Sequence, residues 1–314
     1  MKPVLSVVCI TYNQEKYIGD ALRGFLLQKT SFPIEILIGD DQSLDSTRSI
    51  VEAAQSAHPG LIHLVGSGSN VGAHRNFMRT LEAAQGKYIA ICEGDDYWTD
   101  SDKLQIQVDL MEKDPSISMS FHPALQTHEG LDRKDILCNK YKSPLPSFDP
   151  DSVAIMGGGF FPTASVVLRR DFLRELPDWF DMSGAGDAAL ALWASMNGRI
   201  VYIDRVMSVY RSNPGGITRS FKSLALRRRF RARYRLFKKD ETFFKHLQTH
   251  NCISAAAADV AIRYPQERLV SDSIKSKQFF AAKVFYARFR NSLELKQKAK
   301  LFAKYLLTRL GYEL

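Results

Sequence analysis

Lys87-Tyr-Ile-Ala-Ile-Cys-Glu-Gly-Asp-Asp-Tyr-Trp98 is the stretch that decides how this chain reads. The run from Lys87 to Cys92 is short, apolar and β-branched, without helical period. That is the pattern of a buried strand. Glu93, Asp95 and Asp96 follow at once, three carboxylates within four residues. Such charges repel one another, and the cluster is costly unless a cation lies among them. Gly94 is expected to let the backbone turn sharply. Tyr97 and Trp98 add flat apolar surface. The carboxyl ends of strands in an open α/β sheet are where such sheets bind ligands. Hard divalent ions, Mg²⁺ or Mn²⁺, take oxygen ligands of this kind.

On the N-terminal side, Val4 to Ile10 reads as a buried strand closed by Thr11, Tyr12 and Asn13. Tyr17, Ile18, Ala21, Leu22, Phe25 and Leu26 recur at helical spacing within 15–28. A second strand at 34–38 ends in Gly39-Asp40-Asp41. Asp45-Ser46-Thr47 is placed to cap a helix. A strand at 61–65 and a helix after Asn70-Val71-Gly72 lead back to Lys87. Past Trp98, a helix is expected from Asp100 or Ser101 and a strand at 117–121. This βαβαβαβα alternation predicts a mostly parallel sheet with helices on both faces. The polar ends at 11–13, 40–41 and 93–96 then share one edge of the sheet, where a diphosphate-linked ligand could lie.

Regularity is lost at 123–151, which holds Pro123, Pro144, Pro146 and Pro150. A long stretch of this kind reads as a functional or mobile loop. A strand at 165–168, a helix opened by Asp187, and short strands at 200–203 and 206–209 follow. Tyr210 to Gly216 reads as a turn-rich exit. From Arg219 the composition shifts. Residues 219–314 carry 23 Lys or Arg against 7 Asp or Glu, a net of +16, whereas residues 1–218 carry 20 against 27, a net of −7. Helices are expected near 224–237, with Leu226, Phe230, Tyr234 and Phe237 on one face and arginines opposite, and near 252–263, 275–290 and 294–310. The division is therefore a body at 1–218 and a basic helical region at 219–314. An acidic body with a basic tail suggests an anionic partner surface. Without a stacking motif, nucleic acid is ranked below a membrane leaflet. Four cysteines without a CxxC pair read as reduced core thiols, and Cys92 as a core thiol rather than a nucleophile. No signal-peptide cleavage pattern follows the first apolar run. The expected location is cytoplasmic, at most peripheral on the inner face of the plasma membrane.

Ser6-Val-Val-Cys-Ile-Thr-Tyr-Asn13, Ile38-Gly-Asp-Asp-Gln-Ser43, Asn70-Val-Gly72 with Arg75-Asn76, Gly86-Lys-Tyr-Ile89, Glu93-Gly-Asp-Asp96, Gly186-Asp187 and Tyr210-Arg211 resemble, in order, the motifs of glycosyltransferase family 2. The likeness runs over residues 6–211, leaves the basic tail uncovered, and is nearest to bacterial enzymes of surface polysaccharides. It implies the GT-A fold and an inverting, metal-dependent transfer of sugar from a nucleotide donor, UDP-linked, to a glycan or lipid-linked acceptor. It places Thr11 and Tyr12 at the base or ribose, with Asn13 and Glu15 beside them. Either Asp40 or Asp41 would accept from the pyrimidine. Arg75 would lie near the nucleotide, Asp95 would hold the ribose, and Asp96 would hold the Mn²⁺ or Mg²⁺. Tyr210 and Arg211 would close over the donor, and Asp187 would be the general base. Two positions depart from the family pattern. Gly186 stands where an acid commonly precedes the base, and Asn213 where a histidine commonly follows the Tyr-Arg pair.

The chemistry asks for these residue types. A nucleoside diphosphate leaving group gathers negative charge that a cation offsets by several kcal/mol. An acceptor hydroxyl needs a carboxylate to take its proton. A helix start lowers the pKa of Asp187, so a compensating apolar or acidic neighbour is expected. A nucleotidyltransferase would need a glycine-rich phosphate loop where Thr11 to Glu15 stands. A non-catalytic nucleotide-sugar binder or scaffold is the rival that Gly186 and Asn213 favour.

Overall fold

The computed structural model describes every residue except 1, 67, 132–133, 184–185, 217–223, 276, 290, 292 and 310–314. The expected boundary at 218/219 lies outside the described residues. The chain forms two compact units. The first comprises 1–149, 159–176 and 193–216, and the second 150–158, 177–192 and 217–314.

The first unit is built on a seven-stranded sheet. Its strands are β1 (Leu5–Thr11), β2 (Ile34–Asp40), β3 (Ile62–Val65), β4 (Tyr88–Ile91), β6 (Ile117–Phe121), β9 (Val167–Arg169) and β10 (Arg199–Tyr202). Their order is β10-β6-β9-β4-β1-β2-β3. Every pairing is parallel except those of β9, which runs antiparallel to β4 and β6. Side chains alternate across a strand. Leu5, Val7 and Cys9, with Ile36, Ile38, Tyr88 and Ala90, therefore share one face. They join a core with Ile18, Leu22 and Phe25 of α1 (Ile18–Leu26), Val51 of α2 (Thr47–Ala57) and Leu104, Val108 and Met111 of α4 (Lys103–Lys113). The opposite face of β2 meets α3 (Ala73–Glu82). There a Cβ on Gly39 would come within 2.0 Å of Thr80 Oγ1. Only glycine allows that approach. The Asn76 amide fills the space and donates to the Gly39 carbonyl at 2.7 Å.

The stretch at 123–151 is more ordered than its sequence suggests. β7 (Ala124–His128) and β8 (Ile136–Cys138) pair with each other, and α5 (Pro150–Met156) begins at its proline. With β5 (Tyr97–Trp98) and β11 (Ser208–Ser212) they form a second sheet, ordered β5-β11-β7-β8. Tyr210 and Arg211 thus lie in a strand, not in a turn-rich exit. The turn waits for the Pro-Gly-Gly at 214–216.

The second unit is helical. After α6 (Gly186–Asn197), which passes from this unit into the first, come α7 (Leu226–Thr249), α8 (Ala255–Lys275), α9 (Phe279–Phe289) and α10 (Leu295–Arg309). Phe237, Leu269, Val270, Ile274, Ala282, Phe289 and Leu301 form its own core. Pro265 sits inside α8. No helix of the described residues is long and apolar enough to cross a membrane.

Candidate functional site

The acidic turn follows β4 as expected, and β11 grips it. The Arg211 backbone N–H donates to Asp96 Oδ1 at 2.8 Å, and the Asn213 amide donates to Asp95 Oδ2 at 2.8 Å. Asp96 is almost fully buried. Burial first, and then the Glu93 and Asp95 carboxylates, push its pKa well above the usual carboxylate range. Burial also raises Asp95, against the hydrogen bond from Asn213 and the field of Arg211. These acids therefore sit where their negative charge is incompletely balanced by the protein. Gly94 serves the turn by its size, not by a left-handed φ. A Cβ there would lie 2.6 Å from Gln14 Oε1 and 2.9 Å from Thr11 Oγ1.

Arg211 is tied down at several points. Its guanidinium pairs with Asp20 of α1 and donates to the Asp95 carbonyl at 3.2 Å. It lies over the Tyr97 ring at 4.3 Å and the Tyr17 ring at 5.4 Å. The Tyr17 hydroxyl donates to Glu129 at 2.5 Å, and its pKa is pushed up to about 12, by burial first and by that carboxylate next. Asp20 and Tyr17 carry no motif of their own. Only the helical spacing of α1, which turns them toward β11, could have pointed to them. Tyr210 is half-buried on β11.

The ends of β1 and β2 interlock. Thr11 is buried, donates to Gln14 Oε1 at 2.8 Å and accepts the Asp41 N–H at 3.0 Å on its carbonyl. Tyr12 is exposed. Asn13, at φ 51°, receives the Leu44 N–H on its side chain and donates its own N–H to Ser43 Oγ. Glu15 accepts from the Ser46 N–H at 2.9 Å, and its backbone N–H donates to Asp45. Asp40 takes the Ser43 hydroxyl at 2.5 Å and lies 3.8 Å from Arg48. Asp41 accepts the backbone N–H groups of Val71 and Gly72, both at 2.8 Å. This bond explains why Asn70-Val71-Gly72 and Asp40-Asp41 occur together. Arg75 is exposed on the first turn of α3. Cys92 is buried, and its thiol is pushed up by burial and then by Asp96, which suits a core thiol.

In the second unit, Asp187 lies in the first turn of α6 and accepts the Ala188 N–H at 2.8 Å. Burial outweighs that bond, and its pKa is raised. A Cβ on Gly158 would lie 2.5 Å from Asp187 Oδ1, so this glycine makes room for the carboxylate. Asp187 belongs to the second unit and the acidic turn to the first.

No cluster of three His, Cys, Asp or Glu side chains placed to hold a metal occurs among the described residues. The donor chemistry still suits a hard ion. Mg²⁺ and similar ions are commonly held by one or two carboxylates together with substrate phosphates, rather than by a protein cage. A buried, under-compensated Asp96 beside Asp95 matches that arrangement.

Comparison with known proteins agrees with this geometry. An uncharacterised protein of Mycobacterium tuberculosis is 36% identical over 224 residues, 69% of this chain and 61% of that protein, so the chain spans less than two thirds of that relative's length. A Bacillus subtilis protein, TuaG, whose name ascribes it to teichuronic acid biosynthesis as a glycosyltransferase, is 39% identical over 111 residues, 35% of this chain and 42% of that protein. Among solved structures, Staphylococcus aureus TarS 1–349 with UDP-GlcNAc aligns over 99% of this chain and 92% of its own, with a TM-score of 0.57 and 18% identity. A mannosyltransferase of Pyrobaculum calidifontis with GDP-Man and Mn²⁺ aligns over 98% and 81%, with a TM-score of 0.55 and 17% identity. At such identities the structural likeness speaks for the fold alone, and that fold is the GT-A arrangement expected from the sequence. The family model described as glycosyl transferase family 2 matches residues 6–176, more than half of the chain. With the acidic turn and the interlocked ends of β1 and β2 inside that match, the chain belongs to glycosyl transferase family 2.

Proposed function

We propose that this protein transfers a sugar from a nucleotide-diphosphate donor, UDP-linked, to an acceptor hydroxyl on a bacterial surface polysaccharide or its lipid carrier, with inversion at the anomeric carbon. One observation carries the reading. Half-buried Asp95 and buried Asp96 follow β4 beside the ends of β1 and β2, and Arg211 of β11 and Asn213 just past that strand donate to them. The ligands named with TarS and the mannosyltransferase, UDP-GlcNAc and GDP-Man, support a nucleotide-sugar donor. The name of TuaG supports a surface polysaccharide as the product.

In this reading Thr11, Tyr12, Asn13 and one of Asp40 and Asp41 receive the nucleoside, with Glu15 acting by locking the 45–46 turn beside them. Asp95 holds the ribose, while Arg75, Tyr210 and Arg211 attend the donor. Asp96, with Asp95 beside it, would hold Mn²⁺ or Mg²⁺, which when bound neutralises charge on the departing diphosphate. Asp187 takes the proton of the acceptor hydroxyl. Asn213 supplies a neutral donor to Asp95 where a histidine is usual.

Thermal shift against UDP, GDP and dTDP with and without Mn²⁺ tests the reading. A bound ligand stabilises the folded state by mass action, and saturation at a hundredfold its Kd raises the melting point by roughly 5 °C or more. UDP with Mn²⁺ is expected to raise the wild type and not Asp96→Asn. A shift with another base reassigns the donor. No shift with any diphosphate contradicts the proposal. A shift without donor turnover favours the non-catalytic binder.

A further inference from the structure

α10 has two apolar faces, and a surface helix needs only one. Leu301 and Thr308 are buried in the helical unit, with Tyr305 packed beside them. At about 100° per residue, Leu295, Phe302 and Leu306 fall within a narrow stripe about a third of a turn away from that buried face. They are 83%, 61% and 43% exposed. Exposed apolar patches rimmed by polar residues mark interaction sites.

The rim of this stripe has one sign. α10 carries Lys296, Lys298, Lys300, Lys304 and Arg309 and no acid. Lys300 is drawn to Glu267, and Lys304 donates to Ser271, both inward on α8. Lys296 and Lys298 flank the stripe on its two sides, with Arg309 at its far end. Glu294, just ahead of the helix, is paired with Arg263.

We infer that the Leu295–Phe302–Leu306 face of α10 docks the chain on an anionic bilayer surface. Charge and shape together select this occupant. Long lysine stems can lie along the apolar stripe and lift their ammonium groups to lipid phosphates. A second copy packed symmetrically on the same face would set each lysine rim against its twin. Nucleic acid would use the cations and leave the leucines and phenylalanine in water. The docking face is placed on α10, whose cations rim an exposed apolar stripe; on α7, Arg233 is turned inward to Asp272. The inference leans on the proposed transfer only in that a lipid-borne acceptor gives docking a purpose. Transfer measured without vesicles keeps failure of one separate from failure of the other.

Co-sedimentation of the full chain with vesicles tests it. The probes are phosphatidylcholine alone and phosphatidylcholine mixed with phosphatidylglycerol. Binding to the anionic vesicles is expected to exceed binding to neutral ones by about tenfold or more, and to fall by a similar factor in Phe302→Ser/Leu306→Ser and in Lys296→Ala/Lys298→Ala. Phe302→Leu should keep it. If the serine pair melts early, Leu295→Ser at the most exposed position takes its place. Equal binding to both vesicle types, or unchanged binding in the stripe and lysine variants, overturns the inference. So does a wild-type dimer by light scattering that the stripe variants dissolve.

Discussion

Asp187 feels two opposed effects. The N-terminus of α6 favours its anion, and burial favours its neutral form. Burial wins, and the pKa rises above the ordinary carboxylate value of about 3.9. A base works only when deprotonated. A raised pKa therefore keeps the inactive, protonated form to a higher pH, and the acid limb of the kcat profile should lie above that ordinary value. Asp187→Asn should lower kcat by about 10²–10⁴ and leave the thermal shift from UDP and Mn²⁺ intact. Wild-type kcat in that variant would remove Asp187 from the mechanism. The sequence already required something to offset the helix end at this residue. It could not show that Gly158 clears the space, because their approach spans 29 positions and appears only in the fold. Asn213 was visible as a departure from a motif, but its bond to Asp95 was not.

Among elements, β11 and α1 act together on the acidic turn. Arg211 lies against Tyr97 and Tyr17 with Asp20 as its carboxylate partner. Asp20 therefore works as a positioning residue for Arg211. A charged hydrogen bond is worth about 1.5–3 kcal/mol, so Asp20→Asn should raise the donor KM by about tenfold while kcat stays within about twofold. Steady-state kinetics with varied donor checks this, and an unchanged KM would mean that Arg211 needs no such anchor. The alternating strands and helices from 5 to 121 were legible because each is long enough to show its period. The second sheet was not. β5 and β8 have two and three residues. β11 pairs with β5 from 110 positions away, Ser208 opposite Trp98. The adjoining Pro-Gly-Gly also made Tyr210 and Arg211 read as part of a turn.

At the scale of the whole molecule, sequence and structure divide the chain on different grounds. Composition separates an acidic body from a basic tail. Packing yields two units, and the helical one also takes in 150–158 and 177–192 from the middle of the chain. That recruitment depends on long-range contacts, so charge content does not register it. It also gives the helical unit Asp187, a residue that the motif order alone assigned to the body. Sugar transfer, on this account, needs an acidic turn to hold the donor and a carboxylate to take the acceptor's proton. The most direct measurement is sugar release from a UDP-linked donor with Mn²⁺, followed by NMR, for the wild type and Asp96→Asn. The expected result is turnover by the wild type with inverted configuration, and a rate lower by about 10³-fold or more in the variant, equivalent to several kcal/mol. Wild-type turnover in Asp96→Asn, or no turnover of any UDP-, GDP- or dTDP-linked sugar by the wild type, would contradict it.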